Sequence, residues 1–238
     1  MEPPEDKEME LKEHLAELRT RLLRALIALL IFMGIYFYKS DELMNLFWES
    51  ILPGREMVAF SPTEPIIAKI VFSFFLAFIT AYPYIMYEVY LFTKPGLYEH
   101  ERKFMKTFIP LSYVFFLVGV GIAYFIVLPR LYGAVAVEML GAEPYLSVKK
   151  TLYNSLKICA ALGLSMQLPV VVAIAARIGL VSSKWLREKR LIIYLAVLIL
   201  ATNMSLDITG LSQIIVLAVF VVMYEVSVVV SSFAERRD

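Results

Sequence analysis

Six apolar segments divide the chain, and most of the charged residues lie in the runs between them. A helix needs roughly 20 apolar residues to cross about 30 Å of hydrocarbon with every backbone group hydrogen-bonded internally. The composition agrees, since 60% of the 238 residues are hydrophobic and only 19% are charged. The pattern therefore predicts an all-α, polytopic membrane protein with six transmembrane helices. The predicted spans are 22–38, 66–90, 107–128, 151–176, 191–203 and 211–232.

The last two spans are predicted to be short. Segment 191–203 has too few residues to cross an average bilayer upright, so either the bilayer thins around it or polar residues of the protein complete its ends. Segment 211–232 begins among polar residues, and 204–210 forms a tight connection near one membrane face. Without an internal repeat or a low-complexity stretch, we expect one integral-membrane domain over 1–238. Its parts are a cytoplasmic amino-terminal segment at 1–21, a membrane region at 22–232 and a cytoplasmic tail at 233–238.

Lys and Arg are distributed unequally between the two sides of the predicted membrane. The side that holds the amino terminus carries sixteen of them in its flanks and the other side carries five. Because cytoplasmic loops are enriched in Lys and Arg, both termini are predicted to lie in the cytoplasm, as an even number of spans requires. The longer loops 39–65 and 129–150 then lie outside, where Phe47 and Trp48 indicate a cap on the membrane surface.

The sequence lacks the motifs of several large functional classes. Its formal net charge of +1 gives no basic surplus for nucleic acid, and it contains no Gly-rich phosphate loop and no cluster of His and Cys residues. Cys159 is the only cysteine, so neither an intrachain disulfide nor a cysteine-based zinc site can form. We therefore expect no enzymatic activity, no metal, no cofactor and no nucleic-acid partner. The acidic segment 1–13 lacks the basic start of a secretory signal peptide, so the first apolar segment should remain in the mature protein.

Polar side chains inside the predicted spans are candidate functional residues, because they are costly in hydrocarbon. Gln167 falls near the middle of the fourth span, two residues before Pro169, whose ring should kink the helix. An interhelical hydrogen bond and a ligand-facing role are about equally compatible with this amide. Four charged residues lie nearer to the helix ends, where snorkelling to the interface is the simpler interpretation. These are Lys69, Glu88, Lys157 and Glu225.

Two charged stretches flank the spans on the predicted cytoplasmic side. Residues 14–22 read His-Leu-Ala-Glu-Leu-Arg-Thr-Arg-Leu, a helical pattern in which Glu17 and Arg21 could form a surface ion pair. Residues 92–103 read Phe-Thr-Lys-Pro-Gly-Leu-Tyr-Glu-His-Glu-Arg-Lys, where Pro-Gly forces a turn and the charges begin the next helix. Each stretch alone is also compatible with a solvated charged surface.

Taken together and in this order, the stretches resemble the TatC family, the polytopic receptor subunit of the twin-arginine protein translocase. The run 14–22 is similar to the family's amino-terminal signature, and the run 92–103 is similar to its first cytoplasmic loop. The resemblance extends over about 14–233, nearly the whole chain. The other similar stretches are Ser61-Pro62 with Pro65 and Lys69, the run 163–169, and Ser212-Gln213 with Tyr224-Glu225.

At two places the chain departs from the family's pattern. Most members have a Glu in the fourth helix where this chain has Gln167, so an amide replaces a carboxylate there. The family usually has Thr-Pro-Pro-Asp shortly before Ser-Gln, whereas Asp207 stands two residues further from Gln213 than that pattern expects. The resemblance therefore does not assign the role of the family's Asp to Asp207.

The resemblance implies that the chain recognises the Arg-Arg signal peptides of folded proteins at the cytoplasmic face. A planar guanidinium pairs best with a carboxylate that accepts two parallel hydrogen bonds. Glu17 and Glu101 lie on separate cytoplasmic segments that can converge, and we expect them to be the acceptors. The surrounding residues should shape the turn and pack against the apolar flank of the signal. The expected signal-peptide site consists of Glu17, Arg19, Phe92, Pro95, Leu97 and Glu101.

The resemblance also implies assembly in the cytoplasmic (inner) membrane, driven by the proton-motive force. The expected partners are TatA and TatB-type single-span subunits, other copies of this chain and the lipid bilayer. Polar groups on short helices need a partner or water, and the expected contact residues are Gln167, Pro169, Gln213 and Glu225.

Two rival functions are compatible with composition alone. A small-solute secondary transporter should show an internal repeat and discontinuous sites at mid-membrane. A membrane scaffold should keep its cargo when Glu17 or Glu101 is changed. The ordered motifs favour the translocase receptor over both rivals.

Overall fold

A computed structural model of the protein describes residues 11–135, 145–204 and 211–235. In these ranges nearly all residues are helical, and the connecting segments contain one isolated bridge between Val58 and Ser147. The prediction of an all-α membrane fold is confirmed. The helices are α1 (Leu11–Tyr38), α2 (Ser40–Ile51), α3 (Glu64–Thr93), α4 (Glu99–Ile122), α5 (Leu128–Val135), α6 (Val148–Ser165), α7 (Leu168–Arg177), α8 (Ser183–Met204) and α9 (Leu211–Ala234), with a π-helical segment Ala123–Val127 between α4 and α5.

The helices are longer than the apolar segments from which they were predicted. The helix α1 begins at Leu11, so the charged amino-terminal signature and the first span form one continuous helix. Five stretches within the described residues are long and apolar enough to cross a membrane. The helix α8 is not among them, because its first two turns contain four basic residues. Six spans and the shortness of the last two therefore remain predictions. The five stretches are Lys12–Tyr38, Glu64–Gly96, Glu101–Gly133, Val148–Arg177 and Gln213–Ala234.

The largest apolar core is formed by buried residues of α2, α3, α5, α6 and the π-helical segment. The segment that was predicted to cap the membrane surface is helical, as α2, and its Trp48 is directed into the protein, where it is only 2% exposed. The position of α2 on the membrane surface stays a prediction. The Trp48 indole N–H donates to the carbonyl of Arg55 at 2.7 Å, the kind of partner that a buried indole requires. The loop after α2 is tied to the start of α6, since the backbone N–H of Val148 donates to the carbonyl of Val58 at 2.9 Å. The start of α3 is tied to the same place, since Ser147 Oγ donates to Glu64 Oε2 at 3.0 Å.

The helices α4 and α6 approach each other closely at two glycines. A Cβ added to Gly119 would lie 2.6 Å from the carbonyl oxygen of Leu162, and one added to Gly163 would lie 2.7 Å from the ring of Phe116. Small residues allow helix backbones to approach in this way inside membranes. The crossing fixes α6 against α4 one turn before the fourth span is interrupted.

The helices α7, α8 and α9 form a second packed group. The hydroxyl of Tyr224 on α9 donates to the carbonyl of Leu186 on α8 at 2.7 Å. The carboxylate of Glu235 accepts a hydrogen bond from the backbone N–H of Ser183 at the start of α8. Such an acceptor satisfies an N–H group that the first helical turn leaves without a partner. The start of α8 is thereby anchored to the end of α9.

Candidate functional site

One face of α1 carries His14, Glu17 and Arg21, because residues three, four and seven positions apart lie on the same side of a helix. This face meets the end of α3. The ring of His14 stacks on the ring of Phe92, with centroids 4.5 Å apart and planes inclined by 26°. The amino-terminal signature and the first loop motif are therefore in direct contact.

Arg21 joins two carboxylates from different helices. Its Nε and Nη2 donate to Oε1 of Glu17 at 3.2 and 2.8 Å. Its Nη1 donates to Oε2 of Glu88 on α3 at 3.0 Å. Because the guanidinium is a rigid planar group of donors, these contacts fix the orientation of Arg21 between α1 and α3.

The other carboxylate oxygen of Glu17, Oε2, is shielded from solvent and has no hydrogen-bond partner within the described part of the chain. A carboxylate oxygen withdrawn from water without a partner raises the free energy of the protein, and an incoming donor removes that penalty. The side chain of Glu17 is 19% exposed, whereas that of Glu88 is 6% exposed. The cluster can thus accept one more cationic donor at Glu17, after local side-chain movement opens access to Oε2.

The turn between α3 and α4 is a single 3₁₀ turn, Lys94–Gly96, with Pro95 at its centre. Arg102, from the first turn of α4, donates through Nε to the carbonyl of Lys94 at 3.1 Å and closes the loop. Phe92 and Pro95 are partly exposed. These two predicted site residues therefore remain accessible to a peptide that lies across the turn.

Leu97 and Glu101 are both buried in the same region. Leu97 packs with Tyr90 and Met105 in a small apolar cluster beneath the turn. Glu101 is 5% exposed, and its Oε2 accepts the backbone N–H of Tyr98 at 2.9 Å. A Glu at this position of a helix satisfies one of the unpaired N–H groups of the first turn. Both residues thus shape the loop from the inside.

The structure brings some of the predicted signal-peptide residues together and separates others. Glu17 lies near the start of α1 and Phe92 near the end of α3, where the two helices are in contact through His14 and Phe92. Glu101 lies beyond the turn, on α4. Arg19 is exposed, and at two positions from Glu17 it occupies a different face of α1. The sequence interpretation missed Glu88 as a member of the site, because a carboxylate near a helix end was attributed to snorkelling. Its position one turn before Phe92 was the signal that could have placed it there.

Gln167 belongs to a second polar network, inside the helix bundle. Its Nε2 donates to the backbone carbonyl of Ser112 on α4 at 2.9 Å, and the hydroxyl of Ser112 donates to its Oε1 at 2.6 Å. The hydroxyl of Tyr82 on α3 lies 2.7 Å from the Ser112 hydroxyl. All three side chains are buried. Of the two roles considered for Gln167, the structure therefore shows the interhelical hydrogen bond.

The fourth span is interrupted at Gln167, as the sequence predicts. The helix α6 ends at Ser165, and α7 restarts at Leu168 with Pro169 in its first turn. Proline is compatible with a first turn, because its missing N–H would have had no helical partner. Serine and tyrosine within an apolar run were the available signal for the Ser112 and Tyr82 contacts, although sequence alone does not say which helices meet.

Two further predicted contact residues lie in the group formed by α8 and α9. Glu225 accepts a hydrogen bond from Arg190 Nη2 at 2.6 Å and another from the hydroxyl of Tyr194. Gln213 lies at the start of α9 and is partly exposed. Asp207 lies outside the described residues.

Comparisons with known proteins give this arrangement a family. The family model described as Sec-independent protein translocase protein (TatC) matches residues 13–224. A protein of Methanocella arvoryzae described as Sec-independent protein translocase protein TatC is 36% identical over 233 residues, which are 97% of each chain. One of Aquifex aeolicus with the same description is 34% identical over 239 residues, covering 96% of this chain and 97% of the relative.

The three-dimensional comparison agrees with the sequence comparison. A crystal structure described as Twin Arginine Translocase Receptor TatC superposes on this fold with a TM-score of 0.82 at 31% identity, covering 94% of this chain and all of the other. The match extends over almost the full length of both proteins, and the family is one of protein translocases, not of enzymes. The predicted resemblance is thus confirmed, and the chain belongs to the TatC family of Sec-independent protein translocase proteins.

Proposed function

We propose that this multi-pass membrane protein is the receptor and core subunit of a twin-arginine translocase, and that it binds Arg-Arg signal peptides beside the start of α1 and the turn between α3 and α4. The observation that carries the proposal is Oε2 of Glu17, which has no partner among the described residues. It belongs to a cluster in which two carboxylates share one guanidinium. These two carboxylates and one guanidinium together carry one negative charge, and Oε2 of Glu17 becomes an acceptor for a second guanidinium once side-chain movement exposes it.

Two adjacent arginines need two acceptors, and the proposed second one is Glu101, which is 5% exposed and is reached only when the turn around it opens. One of its oxygens accepts the Tyr98 N–H, so its carboxylate is held in place at the start of α4. Phe92 and Pro95 lie in sequence between Glu17 and Glu101 and are partly exposed. Their apolar surface is proposed to contact the residues of the signal peptide that follow its two arginines. Arg19 is exposed on another face of α1, so its proposed contact is with a different part of the bound peptide. Because charge pairs near a surface contribute little individually, the hydrophobic part of the signal must add to the affinity.

The proposed orientation places this site in the cytoplasm, with both termini on the same side of the inner membrane. The excess of Lys and Arg in the flanks on that side supports it. The carboxylates that would meet the signal peptide then lie where cargo proteins are made. Translocation itself would draw on the proton-motive force through the assembled complex.

We further propose that TatA and TatB-type single-span subunits and other copies of the chain assemble on the helix pair α8 and α9 and on the interrupted fourth span. Gln213 and Glu225 lie on α9, whereas Gln167 and Pro169 shape the interruption. Cys159, the only cysteine, is buried, so a single cysteine introduced at exposed Ile214 on α9 can report contact by disulfide cross-linking. Cross-links to the single-span subunits are expected there and not at exposed Val118 on α4, and equal yields at both would contradict this assignment.

The main test is photo-crosslinking of an Arg-Arg signal peptide to membranes that contain the chain. We would compare the wild type with Glu17→Ala and Glu101→Ala, and also with Glu17→Gln and Glu101→Gln. Glutamine at Glu101 keeps the acceptor for the start of α4, so this variant removes the charge and preserves the fold of the turn. A Lys-Lys peptide is the matched control, because lysine cannot form the two parallel bonds of arginine.

Loss of Arg-Arg-dependent cross-links in the glutamine variants, with the protein still inserted, is the expected result. If the variants cross-link like the wild type, recognition lies elsewhere, as the scaffold alternative requires. If the wild type does not distinguish Arg-Arg from Lys-Lys, the receptor function is wrong. The transporter alternative has less support, because the amide at the interruption of the fourth span is already bonded to α4.

A further inference from the structure

Glu88 is the carboxylate of the cluster that a peptide reaches least easily. It is 4% exposed as a residue and bonds to Arg21 from the side opposite Glu17. We propose that Glu88 is a positioning residue for signal-peptide recognition, acting through Arg21 to keep Oε2 of Glu17 available for an arginine of the peptide. This inference rests on the proposed function and specifies how its acceptor is prepared.

Arg21 pairs with Glu17 through only one of the two carboxylate oxygens. Two of its donors, Nε and Nη2, converge on a single oxygen of Glu17, at 3.2 and 2.8 Å. Arg and a carboxylate more often pair through two parallel bonds, one to each oxygen. In that arrangement Arg21 would occupy both acceptors of Glu17. The observed arrangement leaves Oε2 without a partner among the described residues.

Glu88 supplies the reason why Arg21 does not rotate into the two-oxygen pairing. The third donor, Nη1, is held at 3.0 Å by Oε2 of Glu88. The guanidinium is planar and rigid, so a rotation toward Oε2 of Glu17 would break that bond. Removing the Glu88 carboxylate therefore frees Arg21 to compete with the peptide for Glu17.

Charge leads to the same conclusion. With Glu88 present, one guanidinium is shared by two carboxylates, so these three groups carry one net negative charge that attracts a second guanidinium, and Arg24 near Glu88 offsets part of it. With Glu88 neutralised, Arg21 and Glu17 balance each other. The effect of Glu88 on recognition should thus vanish when Glu17 has already lost its charge, because Glu88 acts on the peptide only through Glu17.

The test is a double-mutant cycle on the full-length chain in lipid nanodiscs, with the dissociation constant of a fluorescent Arg-Arg signal peptide as the readout. The variants are Glu17→Gln, Glu88→Gln and the double substitution. Glu99→Gln is the matched control, because it removes a carboxylate from the same end of the molecule and its side chain is 84% exposed. We expect Glu88→Gln to weaken binding roughly tenfold and the double variant to bind no more weakly than Glu17→Gln alone.

A second readout separates positioning from loss of structure. If Glu88 only stabilised the fold, its substitution would weaken Arg-Arg and Lys-Lys peptides by the same factor, whereas the proposal expects the preference for Arg-Arg to fall. Glu88→Asp keeps the charge with a shorter reach and should lie between wild type and Glu88→Gln, and it carries the test if the glutamine variant does not fold.

The outcomes distinguish this inference from the function on which it rests. Wild-type affinity in Glu88→Gln overturns it, as do losses that multiply in the double variant, because Glu88 would then act independently of Glu17. If Glu17→Gln itself binds like the wild type, the acidic site of the proposed function fails first.

Discussion

The protein contains two polar networks built on the same helix, α3, and they differ in charge, exposure and completeness. Near the end of α3, Glu88 takes part in an ionic cluster that leaves one carboxylate oxygen of Glu17 without a described partner. Earlier on the same helix, Tyr82 takes part in a neutral network, in which Gln167 and Ser112 are joined by two hydrogen bonds. The first network can accept another group, and the second is closed.

The difference follows from the surroundings of each network. Inside the bundle, no water is available to hydrogen-bond an unpaired polar group. A polar network there therefore has a low free-energy cost only when it is neutral and all of its members are hydrogen-bonded. Near the membrane surface, ionised groups keep part of their hydration, and an incomplete cluster is tolerable. We therefore interpret the ionic cluster as a binding site and the amide network as a connection between α4 and the interrupted fourth span.

The largest expected effect separates stability from binding. Gln167→Ala should lower the free energy of unfolding by about 2 to 3 kcal/mol, because it removes both buried hydrogen bonds to Ser112 and creates a cavity, with Tyr82 left as the remaining side-chain partner of the Ser112 hydroxyl. Thermal unfolding in detergent measures this, with Leu164→Ala, an exposed leucine in the same segment, as the control. Arg-Arg peptide binding by the folded variant should be unchanged. A variant of normal stability that had lost peptide binding would reverse our assignment of the two networks.

Salt should affect the ionic cluster selectively. Raising the ionic strength from about 0.1 M to about 1 M shortens the screening length from about 10 Å to about 3 Å, so Arg-Arg peptide affinity should fall severalfold. Fluorescence anisotropy titrations at the two ionic strengths measure it. Glu17→Gln provides the comparison and should lose less. Equal salt dependence in both proteins would show that other charges attract the peptide.

Ser112→Ala should destabilise the protein less than Gln167→Ala does, by about 1 kcal/mol. The backbone carbonyl of residue 112 still accepts from Gln167 in this variant, so only the hydroxyl contacts to Gln167 and Tyr82 are lost. Thermal unfolding of the two single variants and their combination is the measurement. Losses that simply add in the combined variant would mean that the hydroxyl and the amide do not act as one network.

The smallest effect is expected at a third polar contact, between Glu225 and Arg190. Their side chains are 43% and 42% exposed, and pairs of this exposure contribute less than about 1 kcal/mol. Glu225→Gln should therefore barely change the thermal midpoint of the isolated protein. If Glu225→Gln lowered the thermal midpoint as much as Gln167→Ala does, the contribution of a polar contact to stability would not depend on its exposure in the way that we describe.

Much of the fold was predictable from the sequence, because membrane helices leave a strong local signal. The interruption beside Pro169, the turn at Pro95 and the family resemblance each depend on residues that are neighbours in the chain. Helix ends were less predictable, since α1 and α8 continue through charged residues that the apolar pattern excludes. Those residues lie on the helices without being apolar, so hydropathy alone places the boundaries inside the true ends.

The sequence by itself thus determined the helical membrane class, the interruption beside Pro169 and two acidic residues proposed for the site, Glu17 and Glu101, because all of these are local or compositional properties. Only the tertiary structure decided which polar groups meet. It paired Arg21 with Glu88, 67 positions further along the chain, and Gln167 with Ser112, 55 positions before it. Contacts at such separations depend on how the helices cross, as α4 and α6 do at their glycines, and periodicity within one helix carries no information about its neighbour.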